Sequence, residues 1–109
     1  MIINKTKNAL LAKEHFACRG AMQLKGLMFS KRKAAVFSFQ KPRKVSLHTM
    51  FVFYPIDILF LDAGKKVIEI KNSLRPFSFY SSASEASYVI ELPSDIGRTV
   101  SIGDTVTFK

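Results

Sequence analysis

At 109 residues the chain falls near the commonest size of one domain and can bury most of the surface that its unfolded form exposes. With 48% hydrophobic and only 23% charged residues, the composition excludes the polar signature of a disordered segment. The net charge of +9 is lopsided: residues 1–45 carry eleven Lys or Arg against Glu14 alone, a net +10, whereas residues 46–109 carry six against seven acidic residues, a net −1.

The single cysteine, Cys18, has no intrachain disulfide partner, and the start MIINKTKN turns polar after three residues, so neither a disulfide scaffold nor a secretory leader is expected. A cytoplasmic setting is the expectation. The longest apolar run is interrupted by Asp57 and falls short of the ~20 residues of a membrane-spanning helix, so no membrane partner is predicted. No repeat, low-complexity tract or long linker divides the chain, which predicts one domain over residues 1–109.

In chain order, MIINKT reads as a strand, and over residues 9–17 a strand competes with a helical turn. Arg19 to Phe29 places Met22, Leu24, Leu27 and Met28 near one helical face, with Gly20 and Gly26 limiting it to about two turns, so one short helix is predicted near residues 19–26. AAVFSF, residues 34–39, is a strand, and the flanking SKRK and QKPRK read as loops. The stretch from Val45 to Leu61 is about three times the usual strand length. Pro55, which has no amide to give to a ladder, divides it into strands near 46–53 and 57–61. In the second, Ile58 and Phe60 alternate with Leu59 and Leu61, so both faces are apolar and must be covered by a second sheet, a helix or a partner chain; the oligomeric state stays open. Asp62, Ala63 and Gly64 make a hairpin turn to a strand at 66–71, with Gly64 predicted to supply the positive φ. FSFY, the half-buried YVIEL, and DTVTFK follow, separated by SSASEAS and PSDIG. The pattern predicts a mainly β fold, a two-sheet sandwich or a barrel with one short helix.

Four motifs then stand together in order: KGLMFS (25–30), PIDILFLDAGKKVIEI (55–70), YVIELP (88–93) and IGDTVTF (102–108). From about residue 19 to 109 the chain resembles the domain-of-unknown-function 192 family. That resemblance implies a jelly-roll-like β-sandwich and no established activity. SLHTMFVFY stands where the common bacterial form carries an aromatic, lysine and asparagine-containing segment before the Pro-x-Asp, so the chain looks more like the short, leaderless archaeal variants.

Three functions compete. Asp57, grouped with His48, Glu91 and Asp104, would supply an enzyme's acid/base carboxylates if those side chains converged. The structural alternative is that Asp57 accepts hydrogen bonds from backbone amides orphaned where Pro55 interrupts the ladder, because a buried group without a partner is costly. Glu91 is expected to face solvent, and His48 to pack within its strand. A non-catalytic binding or accessory module, the favoured reading, would use an aromatic face including Phe51, Phe53 and Tyr54 beside Asp57. A nucleic-acid-associated protein would use the basic first half, with Lys31, Arg32, Lys33, Lys41, Arg43 and Lys44 at the two ends of AAVFSF, about 20 Å apart. Phe37 and Phe39 share one face of that strand and are assigned to the core. His15 and Cys18 are spaced as H-x-x-C without a second pair, so no metal site is predicted, and no phosphate loop or cofactor signature is present.

Overall fold

The structure, a computed structural model, describes residues 1–19, 34–48, 54–94 and 99–108, with residues 15–19 and 48 described as backbone only. Ten strands follow one another: β1 (Ile2–Asn4), β2 (Ala9–Ala12), β3 (His15–Arg19), β4 (Ala34–Arg43), β5 (Ser46–His48), β6 (Ile56–Leu61), β7 (Val67–Leu74), β8 (Phe79–Ser81), β9 (Ala86–Pro93) and β10 (Val106–Phe108). The fold is mainly β, as the turn-punctuated Val, Ile and Phe runs predict.

The strands form a five-stranded sheet in the order β3-β4-β9-β6-β7, a three-stranded sheet β10-β1-β2 and a two-stranded sheet β5-β8. The large sheet is antiparallel except where β3 runs parallel to β4. Its two faces are each covered by one of the smaller sheets. On one face Ala35, Phe37, Ile58, Phe60 and Val89 pack with Val45 and Leu47 and with Tyr80 of β8. On the other, Val36, Leu59, Leu61, Ile90 and Leu92 pack with Ile2, Leu11 and Val106 of the three-stranded sheet. Every residue of β6 is therefore buried, and its two apolar faces meet cover from within the chain. Each buried Leu, Ile or Phe adds about 1.5–3 kcal/mol.

Several expectations change. The ambiguous stretch 9–17 resolves into parts of two strands. Arg19, expected to open a helix, instead ends β3, and the rest of the predicted helix lies outside the described residues. QKPRK is no loop: β4 runs on to Arg43, and Pro42 is tolerated there because the ladder to β9 is interrupted at that point. YVIEL is buried on both faces, because a small sheet lies over each side.

The hairpin between β6 and β7 also departs from its predicted form. The amide of Lys65 donates to the Asp62 carbonyl at 3.0 Å, and the left-handed residue is Lys65, at φ 65°, with Gly64 outside that region. Asp62 Oδ1 accepts from the Gly64 and Lys66 amides at 2.9 and 3.0 Å, fixing the turn through its side chain. Lys65 then lays its ammonium over the Phe108 and Tyr88 rings, 4.6 and 5.9 Å from their centroids, which offsets its unfavourable backbone.

Candidate functional site

Asp57 lies fully buried on β6, between β7 and β9. On the β7 side, Ile56 pairs with Leu74 and Ile58 with Lys71, so residues 72–73 bulge opposite Asp57. Ser73 sits at φ 53°, and its amide donates to Asp57 Oδ1 at 2.7 Å. A backbone group that the bulge removes from the ladder is thus met by the carboxylate. The gap expected at Pro55 lies on the facing strand instead. The Pro55 carbonyl accepts from the Ser94 amide at 3.1 Å, and the Ser94 and Ser73 hydroxyls lie 3.1 Å apart, closing this end of the sheet.

Glu91, expected in solvent, is buried at 6% exposure. It stands between Ala35 on β4 and Ile58 on β6, and burial pushes its carboxyl up to about 8. Asp57 instead pairs with Leu92. Opposed residues share a face and successive residues alternate, so Asp57 and Glu91 leave the sheet on opposite sides. The proposed grouping of acid/base side chains is therefore not assembled from these two. Asp104 belongs elsewhere again: its Oδ2 accepts from the Asn4 side chain at 2.8 Å and the Ser101 amide at 2.9 Å, and lies 3.3 Å from Lys7 Nζ. The Ser101 amide and Asn4 hold this carboxyl below its ordinary range against the opposing effect of burial, with Lys7 adding to them. Asn4, itself fully buried, also accepts from the Lys7 amide, so the network ties the β1–β2 hairpin to the chain before β10.

Of the remaining candidates, His48 contributes its backbone to β5, paired with Phe79, and His15 and Cys18 contribute theirs to β3. Tyr54 is half-buried against the core, while Phe51, Phe53, Lys31, Arg32 and Lys33 lie outside the described residues. Among the described residues no three metal-ligating side chains come together.

The other basic cluster, Lys41, Arg43 and Lys44, borders a groove that the sequence did not outline. Ser38 pairs with Tyr88 and Arg43 with Ala86, so residues 39–42 of β4 stand against Ser87 alone. This wide bulge opens a groove of about 760 Å³ lined by Ser38, Phe39, Gln40, Lys41, Pro42, Arg43 and Tyr88. Phe39, assigned from alternation to the core like the fully buried Phe37, is only partly buried and lines this groove. The Arg43 guanidinium lies 5.5 Å from the centroid of its ring. Lys41, Arg43 and Lys44 are exposed. The Tyr88 ring, on the opposite face of the sheet from Phe39, meets Phe108 edge-on at 5.2 Å, with Lys65 over both. The signal for this site was a proline within a strand next to aromatic and basic residues, which marks a bulge more often than a ladder.

A third polar cluster, also unforeseen, centres on Glu69. Its carboxylate accepts from the Tyr80 hydroxyl in a short bond and from the Ala83 and Ser84 amides, at 3.0 and 2.9 Å to Oε1. Burial acts to raise the Glu69 carboxyl, but the Tyr80 hydroxyl and the two amides outweigh it and hold the group below its usual value, while the same bond pushes Tyr80 up to about 12. This cluster pins the 82–85 loop to β7.

A β-sheet covered on both faces, with a groove lined by aromatic and basic residues at a strand bulge, defines a small mainly β protein. The chain belongs to the DUF192 family, described as an uncharacterized ACR, whose profile matches residues 2–108. It is similar to a UPF0127 protein of Pyrococcus horikoshii, 32% identical over 92% of this chain and 90% of the relative, and to one of Pyrococcus furiosus, 31% identical over 99% and 97%. In fold it is similar to a crystal structure from Sinorhizobium meliloti 1021, provisionally described as a transcription regulator, with a TM-score of 0.78 at 24% identity over 85% of this chain and 79% of that one.

Proposed function

We propose that this chain is a non-catalytic binding module whose ligand surface is the bulged end of β4. The observation that carries this reading is the groove itself, where the partly buried ring of Phe39 stands beside the cations of Lys41 and Arg43. Its volume of about 760 Å³ falls within the range of ligand sites, and the pairing of apolar walls with a few charged groups is what fixes a ligand's orientation. The carboxylates weigh against the enzyme reading, since Asp57 is engaged with a backbone amide and Glu91 lies across the sheet from it. The lone Cys18 suits a reducing, cytoplasmic setting.

The test is a thermal-shift screen with anionic and neutral ligands on the native chain and on a Lys41→Glu/Arg43→Glu variant. A ligand of this groove present at 100 times its Kd stabilises the native chain by about 2.7 kcal/mol, a rise of roughly 10 °C or more, and the variant loses that gain. Turnover of any screened compound that is abolished by Asp57→Asn or Glu91→Gln would contradict the proposal.

A further inference from the structure

Resting on the reading of the groove as a binding site, we infer that its ligand is single-stranded nucleic acid, held by stacking at Phe39 and Arg43 and by phosphate contacts at Lys41 and Lys44. The strand bulge supplies the geometry. Because residues 39–42 face Ser87 alone, their backbone bulges out of the ladder with β9 and these residues line an open furrow. Three cations, Lys41, Arg43 and Lys44, lie within four consecutive positions, all exposed, on the half of the chain that carries the net charge of +10. That is an electrostatic footprint for a polyanion.

Charge alone would suit any polyanion; the ring of Phe39 under Arg43 narrows the class. The Arg43 guanidinium is 5.5 Å from the Phe39 centroid, and an arginine backed by an aromatic ring offers its plane to a nucleobase. The Tyr88 ring packs with Phe108 and Lys65 on the other face of the sheet, so the stacking platform on this side is Phe39 with its guanidinium. Alternating flat and cationic groups in an open groove is how single strands are bound without sequence readout, since every base presents a π-face. A duplex keeps its bases stacked on one another and gains nothing from this platform. A free nucleotide offers the ring contact but only one phosphate to three cations.

The experiment is fluorescence anisotropy with labelled ten-nucleotide oligo(dT) and oligo(rU) and the full chain, at several salt concentrations between 50 and 200 mM. Two phosphate contacts, at Lys41 and Lys44, predict a slope of log affinity against log salt of about −1.4, and Lys41→Glu/Lys44→Glu, leaving neither, brings it close to zero. Phe39→Ala is expected to weaken binding at least about five-fold without changing that slope, because it removes stacking and no charge. Circular dichroism of each variant separates lost binding from lost folding. Equal binding of duplex DNA, or of polyphosphate, which carries charge without bases, would overturn the inference, as would displacement of the oligonucleotide by equimolar nucleoside monophosphate. Absence of oligonucleotide binding at 50 mM salt would also overturn it; if another ligand still shifts the melting temperature in a Lys41- and Arg43-dependent way, the binding-module reading survives, and if none does, both fall.

Discussion

Replacing Asp57 by alanine removes the acceptor that meets the Ser73 amide at the β7 bulge and leaves that donor without its partner. The interaction is charge-assisted, at 2.7 Å, and its carboxylate is fully buried, so the upper part of the hydrogen-bond range applies, about 2 kcal/mol. For a chain of this size each kcal/mol moves the melting temperature by about 4–8 °C, so Asp57→Ala is expected to melt roughly 8–16 °C lower. Asp57→Asn keeps a carbonyl oxygen in place to accept from Ser73 but loses the charge, and about half the loss should return. Thermal unfolding followed by circular dichroism at neutral pH reads both values. A melting temperature for Asp57→Ala within about 2 °C of the native chain would refute the structural role of this carboxylate, because so small a change corresponds to less than 1 kcal/mol.

Glu91 should set a pH dependence of opposite sign to that of Asp104 and Glu69. Its folded value is raised to about 8 from 4.5, so the folded state holds a proton that the unfolded state releases, and stability falls as pH rises between those values, by about 5 kcal/mol at most. Glu91→Gln is expected to flatten that fall, with its advantage over the native chain growing from pH 5 to pH 8 in urea titrations; parallel curves would contradict the burial argument. Asp104 and Glu69 are held below their ordinary values, so their contributions are present at neutral pH and are lost as pH falls through those lowered values, which together with Glu91 places the stability maximum on the mildly acidic side of neutral. Asn4→Ala removes a fully buried side chain that joins Lys7 to Asp104 and should cost about 1–3 kcal/mol in chemical unfolding, with faster amide exchange in the β1–β2 hairpin. Tyr80→Phe leaves Glu69 its two amide donors and should cost about 1 kcal/mol, with the 82–85 loop becoming more open to proteolysis.

Most of the strands were legible because their residues obey local rules. AAVFSF, the two-faced ILFL and the VIEI run carry β-branched and aromatic residues between turn formers, and the demand that both faces of ILFL be covered is met by the two small sheets. The bulges were not legible, and the sites follow from them. Nothing in KNSL marks Ser73 as left-handed, so the partner of Asp57 was sought beside Pro55 and not on the neighbouring strand. At the hairpin, glycine was the natural choice for positive φ, but the bond from Lys65 to Asp62 places the left-handed residue one position later, where a side chain that can reach two rings is of use. QKPRK reads as a loop because proline and four polar residues discourage a strand, yet a strand that bulges away from its partner needs no ladder bond there. Glu91 misled for a different reason: alternation in YVIEL puts it on the face of Val89, and that this face is also buried depends on β5 and β8, which come from distant parts of the chain.

The most direct test of the account is an amide chemical-shift map of the full chain titrated with single-stranded oligonucleotide at low salt. The account predicts that the shifts concentrate at the amides of Ser38 to Lys41, Arg43, Ser87 and Tyr88, while Asp57, Ser73 and Glu91 stay unmoved. Shifts centred on Asp57 or Glu91, with the β4 bulge silent, would contradict it.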